Sequence, residues 1–292
     1  MRRVDAIAQA DGAAPASASP DGANGAEPPL RHGGLGEAET ADIAARFDGQ
    51  PEELLAWAIE RFGRDLGLCS SFQAEGCVLI HMAWRIDPKV RVFTIDTGRL
   101  PNETYEVIDR MRERYGIETE VFMPDSGVAE RMTSRHGLNL FYRDLNSRLL
   151  CCQVRKVLPL RRALANYSAW VTGLRRGQWE TRANLRAADI DRDHGGILKL
   201  APLAAWSEKQ VWDYIHSNRV PYNSLYDKGY KSIGCAPCTR PVAEGDDPRS
   251  GRWWWESDGP KECGMHCTIE TTGFDGKIPT AAKSRNGNSG PG

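Results

Sequence analysis

No stretch of this 292-residue chain is apolar for the roughly 20 residues that a membrane-crossing helix needs, so a helical membrane protein is excluded. Excess charge of either sign is missing too: 38 basic residues face 39 acidic ones, for a net charge of −1. General binders of nucleic acid or of anionic membrane surfaces need a strongly basic balance, and both classes are set aside. The P-loop pattern GxxxxGK[ST] and the dinucleotide pattern GxGxxG are absent, which removes two well-marked phosphate cradles. Arg2 and Arg3 are not followed by an apolar core, so no secretory signal is expected. The expected location is a reducing cytoplasm, where structural disulfides are rare. Internal repeats are absent.

What remains suits one large α/β domain or two small ones. Residues 1–40 hold ten Ala, six Gly and four Pro. Such a segment buries too little apolar surface to offset chain entropy, so disorder is expected over 1–44. The segment after Cys267 reads as equally loose, giving a body over 45–258 and a flexible tail over 259–292. Within the body, strand and helix patterns alternate. "PEELLAWAIERFG" (51–63) opens a helix with proline in its first turn. "LGLCSSF" (66–72), "VRVFTI" (90–95), "IETEVFM" (117–123), "SAWVTG" (168–173) and "ILKLAPL" (197–203) read as strands. "EGCVLIHMAWRI" (75–86) is apolar nearly all round and reads as a buried helix. "NETYEVIDRMRERYG" (102–116) places Tyr105, Ile108, Met111 and Tyr115 on one helical stripe. "SEKQVWDYIHSN" (207–218) starts with a capping box, Ser207 with Gln210. Repeated β-α-β order implies an α/β fold: a mostly parallel sheet with helices on both faces. Such sheets bind ligands beyond the carboxyl ends of their strands.

Three segments leave strands at that end. "CSSFQAEG" (69–76) brings small hydroxylated residues to a helix start, where free N–H groups and the helix dipole favour an anion. An ordinary serine cap is the plainer account of it. "IDTGRLPNET" (95–104) supplies Asp96 and Thr97, a turn at Gly98, and Arg99 as a side chain able to reach a ligand. "WVTGLRRGQ" (170–178) brackets Arg175 and Arg176 with Gly173 and Gly177, a loop suited to phosphate or sulfate oxygens. Three strand ends facing one way, two with arginine, favour an anionic, nucleotide-like ligand.

Eight cysteines in a reducing compartment point to metal ligation or redox chemistry. Cys151 and Cys152 are adjacent, and adjacent cysteines rarely bond to each other because the small ring strains the disulfide. Cys235 and Cys238 form a C-x-x-C in "IGCAPCTR". Four thiolates suit a tetrahedral zinc or an iron–sulfur cluster. An adjacent pair wraps one small ion poorly but can ligate two irons. The spacing leaves cluster and zinc open, with a redox dithiol as a third reading. Cys263 stands apart in "KECGMHC" (261–267), with Lys261 and His266 nearby to favour the reactive thiolate. Cys69 and Cys77 read as core packing.

Taken together, "SSFQAE", "IDTGRLPNET", "CCQVRK", "VTGLRRGQ", "CAPCTR" and "KECGMH" resemble the assimilatory sulfonucleotide reductases, specifically the bacterial adenylyl-sulfate (APS) reductases. The match runs in order over roughly 45–267. The resemblance implies an adenine-nucleotide α-hydrolase-like, Rossmann-like fold. It implies a [4Fe–4S] cluster on Cys151, Cys152, Cys235 and Cys238, and Cys263 as the nucleophile that carries an S-sulfocysteine. It implies reduction of APS to sulfite and AMP in assimilatory sulfate reduction and cysteine biosynthesis. Possession of all four cluster cysteines favours APS over its 3′-phosphorylated form, PAPS. Substrate contacts are expected from Ser70, Ser71, Phe72, Gln73, Glu75, Asp96, Thr97, Gly98, Arg99, Lys156, Gly173, Arg175, Arg176, Arg249, Arg252 and His266. Without an appended thioredoxin-like domain, an external thiol donor is implied, thioredoxin or glutaredoxin. A homo-oligomer is left open. Gln73 and Gly76 stand where relatives often carry Gly and Asp, and Cys267 lies outside the usual motif. The alternative within the family is a PAPS or dual APS/PAPS reductase. More distant rivals are an ATP-using sulfurylase-like transferase, which needs neither Cys263 nor a cluster, an iron–sulfur redox sensor, and a zinc-stabilised binding module.

Overall fold

The computed structural model describes residues 34–256 together with Glu262 and Met265. Six strands form one sheet: β1 (Leu66–Cys69), β2 (Val92–Ile95), β3 (Thr119–Phe122), β4 (Ala169–Val171), β5 (Ala188–Asp191) and β6 (Ile197–Leu200). Their order is β3-β2-β1-β4-β6-β5, and every neighbouring pair is parallel except β5 with β6. The central strands are apolar along nearly their whole length because both faces are covered. Leu68 is in register with Val92 on one side and Val171 on the other.

Eight α-helices surround this sheet among the described residues: α1 (Glu37–Arg46), α2 (Pro51–Phe62), α3 (Ala74–Ile86), α4 (Asn102–Tyr115), α5 (Ser126–His136), α6 (Leu145–Cys152), α7 (Leu158–Leu164) and α8 (Glu208–Asn218). The larger core joins Leu54 and Leu55 of α2, Val78 and Leu79 of α3, Val107 of α4 and Val211 and Ile215 of α8 to β1 and β4. Leu160 and Leu164 of α7 cover the opposite face with Phe93, Tyr167 and Trp170. The capping box that opens α8 is formed: Gln210 N donates to Ser207 Oγ (3.2 Å), and Ser207 N donates to Gln210 Oε1 (2.9 Å).

Three expectations are corrected. Ordered structure begins before residue 45, because α1 buries Thr40, Ile43 and Ala44 and packs against β5. The alanine-rich composition ahead of it hid this short stripe. On α4 the buried positions are Thr104, Val107, Met111 and Tyr115, while Tyr105 is exposed. Tyr105 lies about 100° round the helix from Thr104, and its hydroxyl donates to Asp96 Oδ1 at 3.0 Å. Strand β5, with two aspartates in four residues, escaped the strand pattern and lies antiparallel at the edge.

His81 on α3 is buried against Tyr214 of α8, with Nδ1 2.9 Å from the phenol oxygen. Burial, then the charges of Arg85 and Arg114, lower its pKa below the ordinary 6.5. The folded chain therefore takes up the proton less readily than the unfolded one. Its contribution to stability is complete above about pH 6.5 and is lost as pH falls below that. His81→Phe is expected to narrow the difference in unfolding free energy between about pH 7.5 and about pH 5.5, measured by urea denaturation.

Candidate active site

A cavity of about 200 Å³ lies over the carboxyl ends of β1, β2 and β4. Its walls include Ser70, Ser71, Gln73, Glu75 and Gly76 after β1, Thr97 after β2, and Gly173, Arg175 and Gln178 after β4. Lys156, Arg182, Lys231, Arg249, Arg252, Glu262 and Met265 complete the basic side. Six lysines and arginines line it against three carboxylates, so the cavity favours an anion.

The turn from β1 into α3 is tight. Phe72 has φ of +54°, and its N–H donates to Ser70 Oγ at 3.0 Å. Gln73 donates to Ser71 Oγ (3.0 Å) and accepts from the Ile233 N–H (2.9 Å), so it ties this turn to the segment that carries Cys235. Gly76 has no room for a Cβ, which would run into Ser70 Oγ. A Cβ on Gly173 would stand 3.0 Å from Glu75 Cβ and 3.3 Å from Gly76 N. The loops after β1 and β4 therefore meet across two glycines. Gly76 is thus a tight packing position in this chain.

The structure sorts the expected contacts. Ser70, Ser71, Gln73, Glu75, Thr97, Lys156, Gly173, Arg175, Arg249 and Arg252 all line the cavity. Arg175 is bound to Glu75, with Nε and Nη2 each 2.8 Å from Oε1, so its charge is largely matched inside the wall. Phe72, Asp96, Gly98, Arg99 and Arg176 are not among the lining residues. Phe72 is fully buried core. Asp96 Oδ1 accepts from Gly98 N (2.7 Å) and from the Tyr105 hydroxyl (3.0 Å), so this oxygen holds the turn after β2. Arg176 reaches away to Asp48, with Nη2 2.7 Å from Oδ1. Adjacent arginines in a loop point to different sides, and the sequence did not say which one faced the ligand. Cys263 and His266 lie outside the described residues. Sequence reasoning missed Arg182, which is separated from the glycine-flanked arginines by "GQWET" and has no local motif of its own.

Beside the cavity is a second, smaller chamber of about 20 Å³, lined by Cys151, Cys152, Cys235 and Cys238. The first pair ends α6, and the second flanks a short helical turn, Ala236–Cys238. All four are buried among Met132, Leu140, Phe141 and Trp253 or the cations around them. Thr97 Oγ1 is 3.3 Å from Cys235 Sγ, and Ala236 N donates to the Arg99 carbonyl at 2.8 Å. Burial, reinforced by Cys235, raises the pKa of Cys151 and pushes that of Cys238 up to about 12. Arg99, Arg148, Arg155, Lys156 and Arg252 surround the thiols. Among the described residues, no group of three or more His, Cys, Asp or Glu side chains is placed to hold a metal ion.

A π-helical turn, Gln153–Val157, joins α6 to α7. Pro159 follows it, and proline has no N–H to give the carbonyl four residues back, so the helical ladder is already broken here. Lys156 lies in this turn and lines both chambers, as do Arg252 and Trp253. The two chambers share a wall.

The fold and the two chambers define a doubly wound α/β protein with an anion-receptive cavity at its sheet's carboxyl edge and a thiol-lined chamber behind it. The chain belongs to the phosphoadenosine phosphosulfate reductase domain family, whose profile matches residues 66–241. It is 46% identical over 232 residues to the adenosine 5′-phosphosulfate reductase of Burkholderia cepacia, covering 80% of this chain and 92% of that protein. To the protein of the same name from Allochromatium vinosum it is 50% identical over 197 residues, 68% of this chain and 77% of that one. Among solved structures it resembles a phosphoadenylyl-sulfate (PAPS) reductase from Candida auris in its phosphate complex, at 29% identity and a TM-score of 0.62, covering 70% of this chain and 98% of that one.

Gly76→Ala is expected to force Ser70 and the β1–α3 turn outward. The cost should be about 1–3 kcal/mol of stability, read by denaturant unfolding, together with weaker adenosine 5′-phosphate binding.

Proposed function

We propose that this chain reduces adenosine 5′-phosphosulfate to sulfite and AMP, with Cys263 as nucleophile and thioredoxin as the dithiol donor. The observation that carries the reading is the position of Glu262. It sits in the wall of the cationic cavity, one peptide bond before Cys263. Relatives named for APS reduction are 46% and 50% identical to the chain, against 29% for the PAPS reductase, which favours the substrate without a 3′-phosphate.

The Cys263 thiolate attacks the sulfur of the sulfo group. The bond from that sulfur to the phosphate oxygen breaks, and AMP leaves with the electron pair. Lys156, Arg249 and Arg252 are the contacts for the charge that develops on the phosphosulfate, with Arg182 beside them and His266 as a further candidate. Cys263 is then an S-sulfocysteine, with the SO₃⁻ group on its Sγ. A thioredoxin thiolate attacks the Cys263 sulfur, and sulfite departs with the sulfur–sulfur electron pair. The second thioredoxin thiol resolves the mixed disulfide and returns Cys263 as a thiolate. Thioredoxin's two thiols supply both electrons.

Cys151, Cys152, Cys235 and Cys238 would hold a [4Fe–4S] cluster. Four thiols from two segments line one chamber, a donor set that a cluster takes, and the likeness to the adenylyl-sulfate reductases favours the cluster over zinc. When bound, the cluster supplies a fixed charge and a covalent tie between α6 and the 235–238 turn. Lys156 and Arg252, which line both chambers, are the side chains that would feel both that charge and the substrate's.

The deciding experiment is sulfite release from APS and from PAPS in the presence of reduced thioredoxin. APS should be turned over and PAPS poorly; preference for PAPS would overturn the substrate assignment. Cys263→Ser should abolish release while AMP binding persists, and full activity in that variant would refute the reductase reading. Lys156→Ala should lower the rate about 100-fold. Purified without air, the chain should be brown and contain iron and sulfide in equal amounts; a colourless zinc protein would remove the cluster.

A further inference from the structure

Glu262 gives the cavity a carboxylate in the place where its arginines are strongest. Arg182 Nη2 donates to both carboxylate oxygens, at 2.9 and 3.1 Å, and Arg249 Nη2 stands 3.5 Å from Oε2. The three side chains are buried or nearly so, at 13%, 9% and 7% exposure for Arg182, Arg249 and Glu262. Arg148 holds the same residue by its backbone, donating to the Glu262 carbonyl. This contact joins the last part of the chain to the loop after β4 and to the "PRSGR" segment.

A guanidinium presents its donors to carboxylate, phosphate and sulfate oxygens in the same forked geometry. The arginines that bind this carboxylate are therefore equipped to bind another oxyanion. Lys156 and Arg252 add positive charge to the same cavity. The donors on Arg182 and Arg249 that face Glu262 cannot serve a second anion at full strength while the carboxylate keeps them.

We propose that the Glu262 carboxylate is an internal competitor for the anionic end of the sulfonucleotide, which enters by taking Arg182 and Arg249 from it. The proposal rests on the sulfonucleotide reading above and adds to it an exchange of anions. No covalent bond changes in this step. Glu262 acts through the two arginines and is a positioning residue. Its release in the exchange would free the residue bonded to Cys263 at the moment the sulfo group arrives.

The probe is ADP, which carries a second anionic group beyond its first phosphate and has no sulfur to transfer. Calorimetry on the full chain compares the wild type with Glu262→Gln, which keeps the side chain's size and loses its charge. ADP should bind the Gln variant about tenfold more tightly, because a neutral amide holds the arginines less strongly than a carboxylate. Glu262→Asp keeps the charge and should return to within about twofold of the wild type. Adenosine, which has no anion, should bind all three alike. Unchanged or weaker ADP binding by Glu262→Gln makes Glu262 an anchor only and overturns the proposal.

Sulfite release tests the underlying reading separately. Tighter ADP binding by the Gln variant without any sulfite release would keep the exchange and discard the reductase. Sulfite release with flat ADP affinities would do the opposite.

Discussion

A guanidinium taken out of water must find partners for its charge and its donors, and three arginine–carboxylate pairs organise the cavity end of this protein. Arg148 is fully buried and forms two 3.0 Å bonds to Glu256. Arg175 is bound to Glu75, and Arg182 to Glu262. These partners are 108, 100 and 80 residues apart in sequence. Each pair fixes one distant segment against another, and together they fix the loop after β4, the helix after β1 and the last described residues around one space. Removing one member of such a pair leaves a bare buried charge, at a cost of about 3–5 kcal/mol. Exposed pairs such as Lys209–Asp213 contribute about 0–1 kcal/mol, so they do not define the architecture.

The sheet was legible in the sequence because its central strands are buried on both faces and its helices carry ordinary start signals. Five of the six strands stood out as β-branched or apolar runs. The exception, β5, lies at an edge where aspartates are tolerated, so its pattern resembled a loop. Helix α4 was found, but its inward face was misjudged by the local stripe. Tyr105 has an apolar ring and a polar tip, and its hydroxyl is bonded to Asp96. A side chain's partner across the fold is not written in its own helix.

The same distinction separates the candidate contacts that reached the cavity from those that did not. Motifs after the strands marked the end of the sheet at which the cavity lies, since that follows from strand direction. They could not divide Arg175 from Arg176, because alternate residues of a loop face opposite sides and the choice belongs to Asp48 and Glu75. Arg182 had no glycine or repeated charge to mark it, and only Glu262 gives its position meaning. The four cysteines were legible as a set. That their chamber shares Lys156, Arg252 and Trp253 with the cavity required the third dimension.

The π-helical turn between α6 and α7 gives chain length a role of its own. A π turn holds one residue more than the α turn it replaces, and each residue advances an α-helix by about 100°. Deleting one of the residues between Cys152 and Lys156 would turn Lys156 by about that angle relative to α6, away from the shared wall. No side chain would change in kind, and every cysteine would remain. Such a chain would keep the composition of both chambers and lose the side chain between them, so here the number of residues between Cys152 and Lys156 matters as much as their identity.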